Sequence, residues 1–152
     1  MRLATVILAV ALGAATPQAP GTGRAAPPST TKPSGPDPAL IAQPIPDAVP
    51  EILAQLGTRT DQIRALIDNG SFASVYVPAF QAKDLALALD THVKALPSDR
   101  QVMTSAEIAN LVRAAYMLDA FGDIGNRGQI TQAFIRFAAA AKNIDAGFSG
   151  KP

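Results

Sequence analysis

The chain has no cysteine, no tryptophan, a single histidine and only two tyrosines in 152 residues. Without cysteine there is no disulfide, thiolate nucleophile, zinc-finger framework or c-type haem attachment, and no lipoprotein anchor. Charge of either sign is scarce too. From Asp47 onward ten Lys and Arg face eleven Asp and Glu, so this part carries about −1 and composition gives it no basic patch for nucleic acid. Long apolar runs are confined to the start. There Arg2 precedes a run from Leu3 to about Ala15, followed by small residues and Pro17. That is the shape of a secretory signal peptide over residues 1–19, with cleavage expected after Ala14, Ala15 or Ala19. The run is shorter than the roughly 20 residues that a bilayer span needs. No later stretch is apolar enough to cross a membrane, so the expectation is a periplasmic or secreted protein with no membrane span after signal removal.

Proline is unevenly spread. Ten of the thirteen fall between Thr16 and Pro50, in "TPQAPGTGRAAPPSTTKPSGPDPALIAQPIPDAVP". Each ring fixes φ and removes a backbone donor, so residues 20–46 are expected to form a disordered, extended tether.

Beyond it the texture becomes helical, with apolar residues at alternating steps of three and four and no strand alternation. Val49, Leu53, Leu56, Thr60, Ile63 and Ile67 form a first stripe, closed by Asn69-Gly70, where glycine tolerates a left-handed cap. Thr60 interrupts that stripe; it either fixes helix register or bonds back to the preceding turn. Phe72, Val75, Ala79, Ala82, Ala86, Leu89, Val93 and Leu96 form a second stripe that ends before Pro97. Pro78 falls inside it, and the unbroken phase predicts a kinked, continuous helix rather than a fresh start at Ser74. Ile108, Leu111, Ala115 and Leu118 form a third stripe. Two capping boxes mark its start, Ser98 with Gln101 and Thr104 with Glu107, and a Met103–Ile108 staple would make residues 99–103 a separate turn. Ile130, Phe134, Phe137, Ala141, Ile144 and Phe148 complete the set. Each stripe is too narrow to be buried except against its neighbours. The sequence therefore predicts an all-α fold, an antiparallel up-down four-helix bundle over residues 47–148, preceded by the disordered Pro-rich segment and followed by a tail at 149–152.

The stretch "LDAFGDIGNRGQI", residues 118–130, raises the question of a calcium loop. Placing Gly128 at the sixth position and Ile130 at the eighth puts Asp123 first, Gly125 third, Arg127 fifth and Phe134 twelfth. One carboxylate stands where four oxygen donors are needed. Starting from Asp119 puts Ile124 at the glycine position and Ile130 at the bidentate one. The stretch reads instead as a turn in which Gly122 and Gly125 end the third helix, while Asn126 and Gln129 cap the fourth.

Other chemistry is thin. His92 has only Met103 or Asp90 to join it at a soft or mixed metal site, and Met117 lies toward the wrong end of its helix for haem ligation. His92 fits better as a half-exposed residue whose charge a helix C-terminus stabilises. No serine stands in a nucleophile elbow and no glycine loop follows a strand to cradle phosphate. Asp119 and Asp123, four residues apart, read as a solvated acidic pair. No enzymatic activity, cofactor or metal is expected. The residues that stand out are Tyr76, Phe80, Lys83, Asp84 and Leu87, which bring apolar and charged groups to one side of the second helix outside its seam. They are candidates for contact with an envelope protein or for self-association; the alternative reading of the same residues is a broad core face, or a face covered by the Pro-rich tether.

The segments "RTDQIRALIDNGSF", "VYVPAFQAKDLALAL", "LDAFGDIGNRGQI" and "AFIRFAAAAKNI" together resemble a group of small secreted bacterial helical-bundle proteins of poorly defined function, loosely associated with periplasmic metal-efflux components. The likeness covers residues 50–148. It implies a periplasmic compartment and, as the alternative to an interaction protein, a metal-binding or metal-efflux accessory role. Such proteins often carry a His pair just before the Ala-Phe step, where this chain has Tyr76 and Val77.

Overall fold

The computed structural model describes residues 41–150. The expected signal peptide, most of the expected tether and residues 151–152 lie outside the described residues. Among the described residues the chain is all-helical, with no strand. Four α-helices follow one another, α1 (Val49–Asp68), α2 (Tyr76–Asp90), α3 (Ser98–Asp123) and α4 (Arg127–Ser149), with 3-10 turns at Phe72–Ser74 and Val93–Ala95. No helix among the described residues is long and apolar enough to cross a membrane.

Glycine closes α1 and α3 in the same way. After α1, the Gly70 N–H donates to the Ile67 carbonyl and the Ser71 N–H to that of Leu66, with Gly70 at φ 76°. After α3, Gly125 donates to Gly122 and Asn126 to Phe121, with Gly125 at φ 65°. This crossed pair of bonds satisfies orphan carbonyls at a helix end and requires a left-handed residue, which glycine supplies without steric penalty.

The start of α2 departs from expectation. Pro78 is the third residue of α2, within the first turn, where the backbone N–H groups lack intrahelical acceptors in any case. The chain tightens into the 3-10 turn before it and passes through Val75, whose backbone is helical, so no proline-kinked helix runs on from Phe72. The start of α3 also differs. α3 is continuous from Ser98, follows Pro97, and has no side-chain cap. Gln101 Nε2 donates to the Leu96 carbonyl at 2.8 Å, outside any capping box. Thr104 is buried rather than capping, and Met103 is 71% exposed, so it staples nothing.

The core is built from β-branched and long aliphatic side chains set among alanines. Ile52, Leu56, Ile63, Leu85, Leu89, Leu111, Leu118, Phe137 and Ile144 are buried, and Ala79, Ala82, Ala86, Ala115 and Ala133 are wholly enclosed. Small residues at the contacts let helix axes approach toward the near end of the usual 8–10 Å range. Each large buried side chain contributes roughly 1.5–3 kcal/mol. In α1, Ile52 occupies the core, while Val49 and Leu53 are only partly buried, so the buried stripe is offset from the expected one. Thr60 is buried and its Oγ1 donates to the Leu56 carbonyl at 2.9 Å, which resolves its place in the stripe as a bond to the preceding turn.

Four contacts tie helix ends together. The Arg64 guanidinium lies 5.3 Å over the Phe134 ring, joining the end of α1 to the start of α4. Ser105 Oγ donates to Asp90 Oδ1, joining the start of α3 to the end of α2. Arg100 Nη1 donates to the Gly147 carbonyl at 3.0 Å, joining the start of α3 to the end of α4. Gly122 lies against the turn before α2, where an added Cβ would stand 2.6 Å from the Phe72 carbonyl oxygen. The last residues of the expected tether are also held. Gln43 Nε2 donates to the Gln81 carbonyl at 2.8 Å, and Gln43 Oε1 accepts from Arg59 Nε and Nη2 at 3.2 and 2.8 Å. Gln43, within the expected tether, is thus bonded to both α1 and α2.

Candidate interaction surface

The α2 residues singled out by sequence do not share one environment. Phe80 is 7% exposed and belongs to the buried set. Helix α2 buries Pro78, Ala79, Phe80, Ala82, Leu85, Ala86 and Leu89, so its core face is broad enough to take in a residue outside the expected seam. Tyr76 is half-buried at the first position of α2, and Leu87 is 47% exposed.

Around Phe80 the structure gathers three further side chains. Tyr116 of α3 meets it edge to face, with ring centroids 5.2 Å apart and planes at 87°. This geometry sets the positive edge of one ring against the negative face of the other. Lys83 Nζ lies 5.3 Å from the Phe80 centroid and 2.8 Å from Asp84 Oδ1, so one ammonium serves both the ring face and the carboxylate. Tyr116 itself is 54% exposed. The result is an aromatic pair with its inner ring buried and its outer ring open, bordered by an ion pair. Leu87 continues α2 one turn beyond Lys83.

Tyr116 was not legible as a site residue. It stands one position past the seam residue Ala115 and looks like the solvent side of α3. The available signal was that an exposed aromatic is unusual in a chain with so few. One turn further along α3, Asp119 has its carboxyl raised above the ordinary value, first by burial and then by the neighbouring Asp123 charge. The acidic pair is therefore not wholly solvated.

The turn between α3 and α4 accounts for its own polar groups. Asn126 Oδ1 accepts from the Gln129 N–H at 3.0 Å and caps α4, as expected. Gln129 takes part through its backbone. The Arg127 guanidinium lies 4.9 Å over the Phe72 ring and packs this loop against the turn before α2. Gly122 does more than end a helix, since it is buried where the backbones of α3 and the 72–74 turn touch.

His92 is half-buried and precedes the short turn at Val93–Ala95. Its two candidate co-ligands are otherwise placed, Asp90 accepting from Ser105 and Met103 lying open to solvent. Among the described residues no three His, Cys, Asp or Glu side chains gather closely enough to hold one ion.

Compared with known proteins, the chain matches no family model, no curated protein and no solved structure.

Proposed function

We propose that this chain is an exported, non-enzymatic accessory or interaction protein of the bacterial envelope, periplasmic or secreted, whose working part is an antiparallel up-down four-helix bundle. The antiparallel arrangement is supported by the end-to-end contacts, in which Arg64 meets Phe134, Asp90 meets Ser105 and Arg100 meets Gly147. Short connections between successive helices favour the same topology. Export is supported by the amino-terminal pattern of one Arg, a short apolar run, small residues and proline.

The interaction role rests on one observation: Tyr116 is about half exposed against a Phe80 that Tyr116 and Lys83 hold in place, and Leu87, two turns along α2 from Phe80, is also about half exposed. An ordered aromatic with one open face, edged by a charged pair, suits an apolar side chain of a second protein with polar groups at its margin. Tyr76, Lys83 and Asp84 then serve as the rim. A photo-crosslinking amino acid placed at Leu87 in intact cells is expected to give a discrete adduct with an envelope protein, while one at exposed Asp68 on α1 gives none. Equal, diffuse labelling from both positions would contradict the reading.

A further inference from the structure

The seam between α1 and α4 is an open groove of about 580 Å³, larger than either of the two grooves beside α3. Gly57 lies in its wall, inside α1, and an added Cβ there would meet nothing within 4 Å. Glycine weakens a helix interior, and no neighbour among the described residues requires it at this position. Ala138 and Ala141 of α4 keep the opposite wall equally low.

Four exposed charges border the groove: Asp61 and Arg64 from α1, Lys142 and Asp145 from α4. Their order follows from one contact. Because the Arg64 guanidinium lies over Phe134, Arg64 marks the Phe134 end of the groove. Asp145 is eleven residues further along α4, about 16 Å at the helical rise. Asp61 precedes Arg64 by three residues, and Lys142 precedes Asp145 by three. With α1 and α4 running in opposite directions, from the Arg64 end the border reads plus, minus, plus, minus. This step rests on the antiparallel arrangement proposed above and not on the Tyr116–Leu87 face.

We infer that this groove is where a second copy of the chain docks, through a two-fold axis at its centre. A two-fold axis lying obliquely across the groove exchanges both its ends and its two walls, which reverses the order of charges in one copy, and this series reversed is its own complement. Arg64 then faces Asp145 of the second copy, and Asp61 faces Lys142 of the second copy. Such self-complementarity is what an isologous contact demands. The four charges sum to zero, so the border favours neither a polyanion nor a polycation. The low walls at Gly57, Ala138 and Ala141 let the two copies approach at backbone distance.

Sedimentation velocity on the full chain tests this over a range of concentrations and at low and high salt. A monomer–dimer equilibrium that weakens with salt is expected. Gly57→Gln sends a side chain from an uncrowded Cβ position into the open groove and is expected to give a monomer with unchanged helicity. Arg64→Asp and Asp145→Arg are each expected to weaken the dimer about tenfold or more, and the double reversal to restore it. A wild-type chain that stays monomeric throughout would overturn the inference, as would a dimer indifferent to Gly57→Gln or a double variant that is not restored. Nuclear Overhauser contacts between Leu53 and Asp145 in the Gly57→Gln chain test the helix directions separately. If they are present and no dimer forms, the docking inference alone fails; if they are absent, the antiparallel reading fails with it.

Discussion

Gly57 and Gly122 are both helical glycines, and the same substitution is expected to move stability in opposite directions. Replacing Gly57 by alanine adds a Cβ that meets nothing within 4 Å. The change then reports only helix propensity and the restricted unfolded chain, a gain of about 0.5–1 kcal/mol. Gly122→Ala makes the same local gain, but its Cβ would stand 2.6 Å from the Phe72 carbonyl oxygen and 3.1 Å from Val75 Cγ2. The nearest atom belongs to the backbone, so no side-chain rotation relieves it, and the turn before α2 must shift. Overpacking of this kind costs roughly 1–3 kcal/mol, with rigid backbone at the upper end. The net expectation is a loss of about 2 kcal/mol, which places the two variants roughly 3 kcal/mol apart. For a helical unit of about 100 residues, each kcal/mol moves Tm by roughly 4–8 °C. Thermal melts and urea titrations followed by far-ultraviolet circular dichroism, on dilute protein, would show both shifts. If Gly122→Ala raised the midpoint as Gly57→Ala does, the end of α3 would not lie against Phe72 and the packing order described above would be wrong.

Removing the α4 cap with Asn126→Ala is expected to cost about 1 kcal/mol, read as a lower urea midpoint at unchanged slope. For Asp119 the folded-state carboxyl titrates above its unfolded value because of burial and Asp123. The folded state therefore holds the proton more tightly. Stability is highest below the unfolded value, falls as pH rises through the raised one, and is flat above it. Asp119→Asn should remove that slope and at neutral pH should stabilise by no more than about 0.5 kcal/mol, as seen in melts across the acidic range. Titrating copper, zinc or nickel while watching the His92 ring signals should leave them unmoved below millimolar metal; saturable shifts at lower concentration would favour the metal-accessory alternative.

Much of the fold could be read from local chemistry. Asn69-Gly70 and Gly125-Asn126 mark helix ends because a left-handed residue and a capping amide act within a few positions of each other. Thr60 is likewise explained by the turn it belongs to. The errors concern residues whose place depends on distant partners. Thr104 fits a capping box by spacing, yet it is buried against Gly147 on α4, where an added Cβ would collide with Thr104 Oγ1. Pro78 looks interior to a stripe that continues across the 3-10 turn, because apolar phase does not distinguish an α-helical turn from a tighter one. Phe80 lies outside the expected seam yet is buried, the broad core face that the sequence left open as the alternative; an alanine-rich helix can be covered on several sides, and its alanines do not say where the cover ends. Tyr116 completes the candidate surface through a contact with another helix, a pairing that no spacing along α3 encodes.

The decisive comparison is between Leu87→Asp and Phe80→Asp, with helicity, thermal midpoint and crosslinking from a photoreactive residue at Tyr116 measured together in each. Leu87 is half exposed and Phe80 is buried, so the account predicts that Leu87→Asp keeps the wild-type melt and loses the adduct, while Phe80→Asp melts far lower. An adduct that survives Leu87→Asp, or a fold that collapses with it, would show that this side of α2 exists to close the core and not to meet another protein.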